Sequence, residues 1–69
     1  MGLTEKRVYQ VEVSEIQSST SFEVDVLASN TREARRVGIE ILEKKGLINR
    51  RNIKRTGVYE TGTTIWVGV

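Results

Sequence analysis

The stretch 22–42, FEVDVLASNTREARRVGIEIL, decides the fold because the spacing of its apolar residues changes within it. From Phe22 to Val26 apolar and acidic residues alternate, which is the period of a half-buried β-strand. Beyond Asn30 the apolar residues recur at spacings of three and four, the period of an amphipathic α-helix. A strand that leads directly into a helix indicates a fold that mixes both element types.

The helix is predicted over residues 31–45. Asn30 is a suitable N-cap, Glu33 completes a capping-box pattern, and Gly46 is a natural position for the chain to leave the helix. The stripe expected to face the sheet comprises Ala34, Val37, Gly38, Ile41 and Leu42. Gly38 in this stripe costs up to about 1 kcal/mol relative to alanine. We expect a close approach of the helix to the sheet to offset that cost.

The remaining alternating or β-rich segments predict strands on both sides of the helix. Four strands are predicted, over residues 7–16, 22–28, 53–60 and 63–69. The polar segment 17–21 predicts a first hairpin, and Thr61-Gly62 is a candidate turn for a second one. The predicted fold is α+β, in the order β-β-α-β-β. It has an antiparallel sheet of three or four strands and one amphipathic helix on one face.

Size and composition exclude most chemistry. The 69 residues suffice for a single domain, residues 1–69, and they include no cysteine and no histidine. The commonest zinc ligands, the usual general base and the thiol nucleophile are therefore missing. We expect no catalytic residue, no metal site and no cofactor, so the chain is predicted not to be an enzyme. Without a signal peptide or an apolar run of about 18 residues, a cytoplasmic protein with no membrane contact is expected.

Charge is unevenly distributed along the chain. Residues 1–30 carry five acidic and two basic side chains, a balance of −3. Residues 31–69 carry nine basic and four acidic side chains, a balance of +5. This asymmetry predicts one acidic and one basic sector in the folded protein.

The segment 44–55 is the strongest candidate for a binding surface because it contains six basic residues and no acidic one. Basic side chains on a loop and an adjoining strand can neutralise phosphates, with counterion release supplying affinity. The candidate nucleic-acid-binding residues are Lys44, Lys45, Arg50, Arg51, Asn52, Lys54 and Arg55. The alternative is a solvated loop whose two lysines serve only the helix dipole.

Trp66 is the second candidate for nucleic-acid binding. We expect Ile65, Val67 and Val69 to face the helix, and alternation then places Trp66 on the uncovered face of the sheet. There it could stack on a base beside the basic segment. The alternative is that the strand register or a bulge turns Trp66 inward.

Several further apolar residues fall outside the predicted core. Ile39 lies off the helix stripe, and Val8, Leu27 and Val58 are predicted on the outer face of the sheet. If these side chains were contiguous, they would indicate a dimer interface or a docking site for a protein partner.

The run Tyr9-x-Val11-x-Val13, followed by Phe22-x-Val24-x-Val26-x-Ala28-Ser29-Asn30-x-x-Glu33-Ala34, resembles the hairpin-then-helix opening of small phage and mobile-element proteins. The DpnD/PcfM-like group is one example, and archaeal ribosomal protein LX has a similar strand-then-helix pattern. The resemblance covers about half the chain. It implies a small accessory protein of viral or plasmid origin, without an activity that can be assigned to a residue.

These observations lead to three functional hypotheses. The first is a nucleic-acid-binding accessory module that uses the basic segment 44–55. The second is a protein-binding inhibitor or adaptor of phage or mobile-element origin, which docks on an acidic surface or pairs a sheet edge with a partner strand. The third is a structural component of a ribonucleoprotein or of a homodimer, in which a second copy would cover the exposed face of the sheet.

Overall fold

The computed structural model describes residues 2–68 and contains one antiparallel sheet and one α-helix. The elements are β1 (Leu3–Glu15), β2 (Ser21–Ala28), α1 (Thr31–Lys44), a 3-10 turn (Arg50–Asn52) and β3 (Ile53–Gly68). The strand order is β2-β1-β3, so β1 is the central strand. The predicted α+β class, with one helix and an antiparallel sheet, is confirmed. Among the described residues no helix has the length and apolar character needed to cross a membrane.

The predicted second hairpin is wrong, because β3 is one strand of 16 residues and the sheet has three strands. Thr61-Gly62 does not reverse the chain. Instead, residues 61–63 of β3 lie opposite the single residue Val8 of β1, which forms a bulge. Gly62 adopts a positive φ of +88° there, and the Thr61 hydroxyl donates to the Val8 carbonyl at 3.1 Å. The glycine that suggested a turn therefore serves the bulge.

The core lies between one face of the sheet and α1. Its buried residues are Tyr9, Val11, Val13, Val26, Ala28, Ala34, Leu42 and Ile48. Gly38 is also buried, and a Cβ built on it would lie 2.7 Å from the Cβ of Val11. Glycine therefore allows the helix backbone to rest directly on the central strand, and the predicted close approach is confirmed.

The start of α1 is fixed by two side chains. Asn30 Oδ1 accepts a hydrogen bond from the Glu33 backbone N–H at 2.8 Å, as the N-cap prediction requires. Glu33 Oε1 accepts from the Ser29 backbone N–H at 3.2 Å, one residue before the cap. Lys6 Nζ lies 3.3 Å from the same oxygen and ties β1 to the helix start. The hydrogen bond from the Ser29 backbone N–H lowers the pKa of Glu33, and the hydrogen bond from Lys6 lowers it further.

At one end of the sheet β1 and β3 continue without the other elements. The β1–β2 ladder ends at the pair Arg7–Ala28, whereas the β1–β3 ladder continues to the pair Leu3–Gly68. We call this end of the β1–β3 ladder, residues 3–7 and 64–68, the arm, and residues 8–63 the body. The arm has two strands beyond Arg7, which still pairs with Ala28 of β2. The arm gives the molecule its elongated dimensions of 46 × 21 × 16 Å.

The arm changes the predicted orientation of the last strand. Ile65 and Val67 do not face the helix but are 41% and 38% exposed. Trp66 is 59% exposed and pairs with Glu5 on the opposite face of the ribbon. All three side chains are exposed because β3 extends past the region that the helix covers. Val69 lies outside the described residues.

The apolar residues predicted outside the core do not form one patch. Val8 and Leu27 are cross-strand partners on the outer face of the sheet, as predicted. Val58 instead pairs with Val11 and packs against the core, because the register shift at Lys54 reverses the alternation and places Ile53 and Val58 on the same face. Ile39 is half-buried and also packs against the core. A contiguous patch of these four side chains is therefore not formed.

Candidate nucleic-acid interface

A shallow groove of about 510 Å³ lies between α1 and the start of β3. We call it the arginine groove; its lining residues are Arg32, Arg35, Arg36, Ile39, Arg50 and Ile53. The arginines are exposed, whereas the two isoleucines are half-buried. The groove therefore combines a cationic rim with an apolar floor.

Local structure places the four arginines on this rim. Arg32 lies one helical turn before Arg35 and Arg36 in α1, and side chains at these spacings project to the same side. Arg50 opens the 3-10 turn, whose N-cap Asn49 accepts from the Arg51 backbone N–H at 3.0 Å. The turn is held against the sheet because Asn49 donates its own backbone N–H to a carboxylate at the end of β1, that of Glu15, at 3.1 Å.

Two of the four rim charges are compensated by neighbours. Arg36 lies 3.5 Å from Glu40, and Arg50 lies 3.2 Å from Glu43. Within residues 2–68, Arg32 and Arg35 take part in no ion pair. Their guanidinium donors remain available to an anion.

The predicted binding residues are dispersed over several surfaces. Lys44 and Lys45 are exposed at the C-terminal end of α1, and Arg50–Asn52 form the 3-10 turn. Arg55 pairs with Ser14 on the outer face of the sheet, and Lys54 is the extra residue at a second register shift. Of the predicted residues, only Arg50 lines the arginine groove.

Trp66 does not lie beside the basic segment. Trp66 pairs with Glu5 and Arg55 pairs with Ser14, nine residues apart along β1, which corresponds to about 30 Å at the rise of a β-strand. The predicted proximity depended on a hairpin at Thr61-Gly62, which would have folded the chain back on itself. Because β3 continues instead, Trp66 lies at the opposite end of the molecule from the 3-10 turn.

Sequence reasoning missed the three helical arginines of the groove. No binding role is predicted from the sequence for Arg32, Arg35 or Arg36. The available signal was Ile39, an apolar residue outside the main stripe. Such a residue indicates a second packing surface on the helix, and in the structure Ile53 lies beside it in the groove.

The cations of the arm differ from Arg32 and Arg35 of the groove because both arm cations are compensated by carboxylates. Arg7 Nη1 donates to Glu60 Oε1 at 3.0 Å, and Lys6 pairs with Glu33. The hydrogen bond to Glu60 raises the pKa of Arg7 above its ordinary value. Among residues 2–68, no group of three histidine, cysteine or acidic side chains is placed to hold a metal ion.

The outer face of the sheet in the body is acidic. Glu12 pairs directly with Glu23. Asp25, which pairs with Gln10, lies next to Glu23 on the same face of β2. The side chain of Gln10 donates to Glu23 at 3.0 Å. Three of the five acidic residues of the first half of the chain therefore lie on the face of the sheet opposite to α1.

Comparison with protein-family models, with curated proteins and with solved structures found no match for this chain. The resemblance to the DpnD/PcfM-like group therefore stays a prediction. Function has to be argued from the geometry and charge of the surfaces described above.

Proposed function

We propose that this protein is a small non-enzymatic module that binds nucleic acid, with the arginine groove at the centre of the contact. The observation that carries the proposal is the pair Arg32 and Arg35, whose charges are uncompensated within residues 2–68 on the rim of an open groove. The guanidinium group matches the geometry of phosphate oxygens, and it keeps its charge at any physiological pH.

A polymer of phosphates suits this surface better than a single small anion does. The groove is shallow, and exposed cations continue beyond it at Arg51, Lys54, Lys44 and Lys45. A nucleic acid backbone can contact several of these groups at once and releases condensed counterions at each contact. The basic segment 44–55 thus extends the contact that the groove begins.

The acidic outer face of the sheet supports one orientation of the complex. Glu12, Glu23 and Asp25 would repel a phosphate backbone, whereas the side of the body that carries α1 would attract it. Nucleic acid is therefore expected to approach along α1 and the 3-10 turn.

The proposal is tested by fluorescence anisotropy of labelled duplex and single-stranded DNA and RNA over a range of salt concentrations. Arg32→Ala combined with Arg35→Ala should weaken binding about tenfold or more at moderate salt, because two phosphate contacts are lost. The slope of log K against log salt should become shallower by about 2 for a duplex.

Lys44→Ala combined with Lys45→Ala is the matched control. It removes the same net charge from the same helix, about 13 Å or more from Arg35 at the rise of an α-helix. We expect a smaller loss of affinity and a smaller change of slope. Equal losses in the two double variants would assign binding to general basic charge rather than to the groove. No binding of any of the four nucleic acids at low salt would refute the proposal.

Protein binding is the second candidate function, and the arm is the observation that favours it. Its side chains from Thr64 to Gly68 are all exposed, and they include three large apolar residues. An adaptor or inhibitor of phage or mobile-element origin could use such a strand to pair with a partner.

A further inference from the structure

The free edge of β3 lacks the features that usually prevent strand association. β3 pairs with β1 on one side only, so its other edge carries no strand within the described residues. From Thr61 to Gly68 the chain contains no charged residue and no proline. Natural edge strands are normally protected by charges, prolines, bulges or a covering element. The bulge at 61–63 protects only the beginning of this segment.

Both faces of the arm also expose apolar side chains. Trp66 shares one face with Leu3, which is 66% exposed, while Ile65 and Val67 lie on the other face. An isolated two-stranded ribbon is at best marginally stable in water. The arm therefore has both an open hydrogen-bonding edge and apolar surface that a third strand would cover.

We propose that β3 of one copy of this chain pairs antiparallel with β3 of a second copy along residues 63–68, which joins two three-stranded sheets into one of six strands. A two-fold axis perpendicular to β3 makes the strand antiparallel to its own copy, so the two edges are self-complementary. Each edge presents the same uncharged segment, so no ionised group of that segment has to lose its water.

The other candidate contacts fit less well. The second edge of the sheet, β2, carries Glu23 and Asp25, which would place acidic groups close together if two copies paired there. Nucleic acid would need available cations on the arm, but Lys6 and Arg7 are engaged by Glu33 and Glu60. An uncharged β-strand is the partner that this surface suits.

The size of the contact predicts a weak dimer. The exposed apolar side chains of the arm amount to about 400 Å² per copy, judged from ordinary side-chain areas. Leu3 lies on β1, beyond the reach of a strand added to β3, and edge pairing covers only part of the other apolar side chains. The buried area therefore falls below about 1,200 Å², the lower limit of a standard specific interface. We therefore expect a dissociation constant in the micromolar range. The inference does not depend on nucleic-acid binding, because no residue of the arginine groove takes part.

Trp66 makes the proposal directly testable because it is the only tryptophan in the chain. The full chain is diluted from high micromolar to nanomolar concentration, and its mass is followed by analytical ultracentrifugation and its emission by fluorescence. We expect a dimer at the top of the range and a shift of Trp66 emission to longer wavelength as the dimer dissociates. A monomer with constant emission over the whole range would overturn the proposal.

A matched pair of variants locates the interface. Ile65→Lys places a charge in the arm and should raise the dissociation constant of the dimer at least about tenfold. Leu47→Lys makes the same change at a residue of nearly equal exposure, 42% against 41%, outside the arm. It should leave dimerisation unchanged. Equal weakening of the dimer by both variants, with circular dichroism showing that each is folded, would overturn the proposed edge contact. That result would not bear on nucleic-acid binding by the arginine groove.

Discussion

The body and the arm are two ends of the same β1–β3 ladder, yet all the buried core residues belong to the body. Val11 is fully buried beneath Gly38, whereas Val67 is 38% exposed in the arm. The reason is that α1 is shorter than the strands it packs against. The 14 residues of α1 span about 21 Å, while the β1–β3 ladder, from the pair Leu3–Gly68 to the pair Glu15–Ile53, spans about 40 Å. Alternation determines which residues share a face, but the reach of the helix determines where that face becomes core.

The two regions also differ in their charges. The cations beside the arm are engaged by carboxylates, whereas Arg32 and Arg35 on the body are in no ion pair within the described chain. The body therefore presents a charged surface suited to phosphates, and the arm presents an uncharged edge suited to another strand. Different classes of partner are expected at the two ends.

The largest expected effect comes from making the same substitution in both regions. Val11→Ala should destabilise the fold by about 2–3 kcal/mol, because buried methyl groups are lost and a cavity remains. Val67→Ala should cost less than about 0.5 kcal/mol in the monomer, since its side chain is already largely in water. Urea denaturation at low protein concentration measures both. Equal costs would show that the arm is as well packed as the body.

Gly38→Ala tests the closest contact of the body. The added Cβ would lie 2.7 Å from Val11, and overpacking of this kind costs about 1–3 kcal/mol. This cost should exceed the gain of up to about 1 kcal/mol in helix propensity. Thermal unfolding should therefore show a lower melting temperature. Gly2→Ala, which meets no atom within 4 Å, is the control, and a stabilised Gly38→Ala variant would contradict the close approach.

Gly62→Ala tests the boundary between body and arm. No atom lies within 4 Å of the added Cβ, so the effect comes from the positive φ alone. We expect a cost of about 1 kcal/mol, together with faster amide hydrogen exchange at residues 64–68. Gly68→Ala, in extended backbone with its nearest atom at 3.8 Å, should leave both quantities unchanged. Unaltered exchange in the Gly62 variant would indicate that the bulge does not hold the arm.

The smallest expected effect is on the pH dependence of stability in the variant Glu33→Gln. Glu33 lies where α1 contacts the arm through Lys6. Its pKa is lowered in the folded protein, so its contribution to stability is complete above its ordinary pKa of 4.5. That contribution disappears as the pH falls through the lower, folded pKa. The wild type should therefore lose more stability than Glu33→Gln between about pH 5 and about pH 3. Parallel pH profiles of the two proteins would contradict the assignment.

Most of the body could be predicted from sequence because its signals are local. The alternation in β1 and β2, the N-cap Asn30 and the stripe through Gly38 each follow from a few neighbouring residues. The bulge could not be predicted in this way. Whether Gly62 reverses the chain or bulges depends on β1 extending to Leu3, and the segment 3–6 has no regular apolar alternation.

The candidate site was only partly predictable for a similar reason. Arg50 was identified from the basic run in the sequence. Its convergence with Arg32 and Arg35 depends on how the 3-10 turn packs beside α1, which is a tertiary contact. Trp66 was assigned to the wrong neighbourhood because its position followed from the hairpin that does not form.

The central claim is that nucleic acid binds the arginine groove of the body and not the arm. The most direct test is a titration of a short labelled oligonucleotide, with protein kept below the concentration at which it dimerises. Label anisotropy and Trp66 emission are recorded together. We predict that anisotropy rises on binding and that binding weakens with salt, while Trp66 emission stays unchanged because the groove lies about 30 Å away along the sheet. Quenching of Trp66 in step with binding, or constant anisotropy at low salt, would contradict the claim.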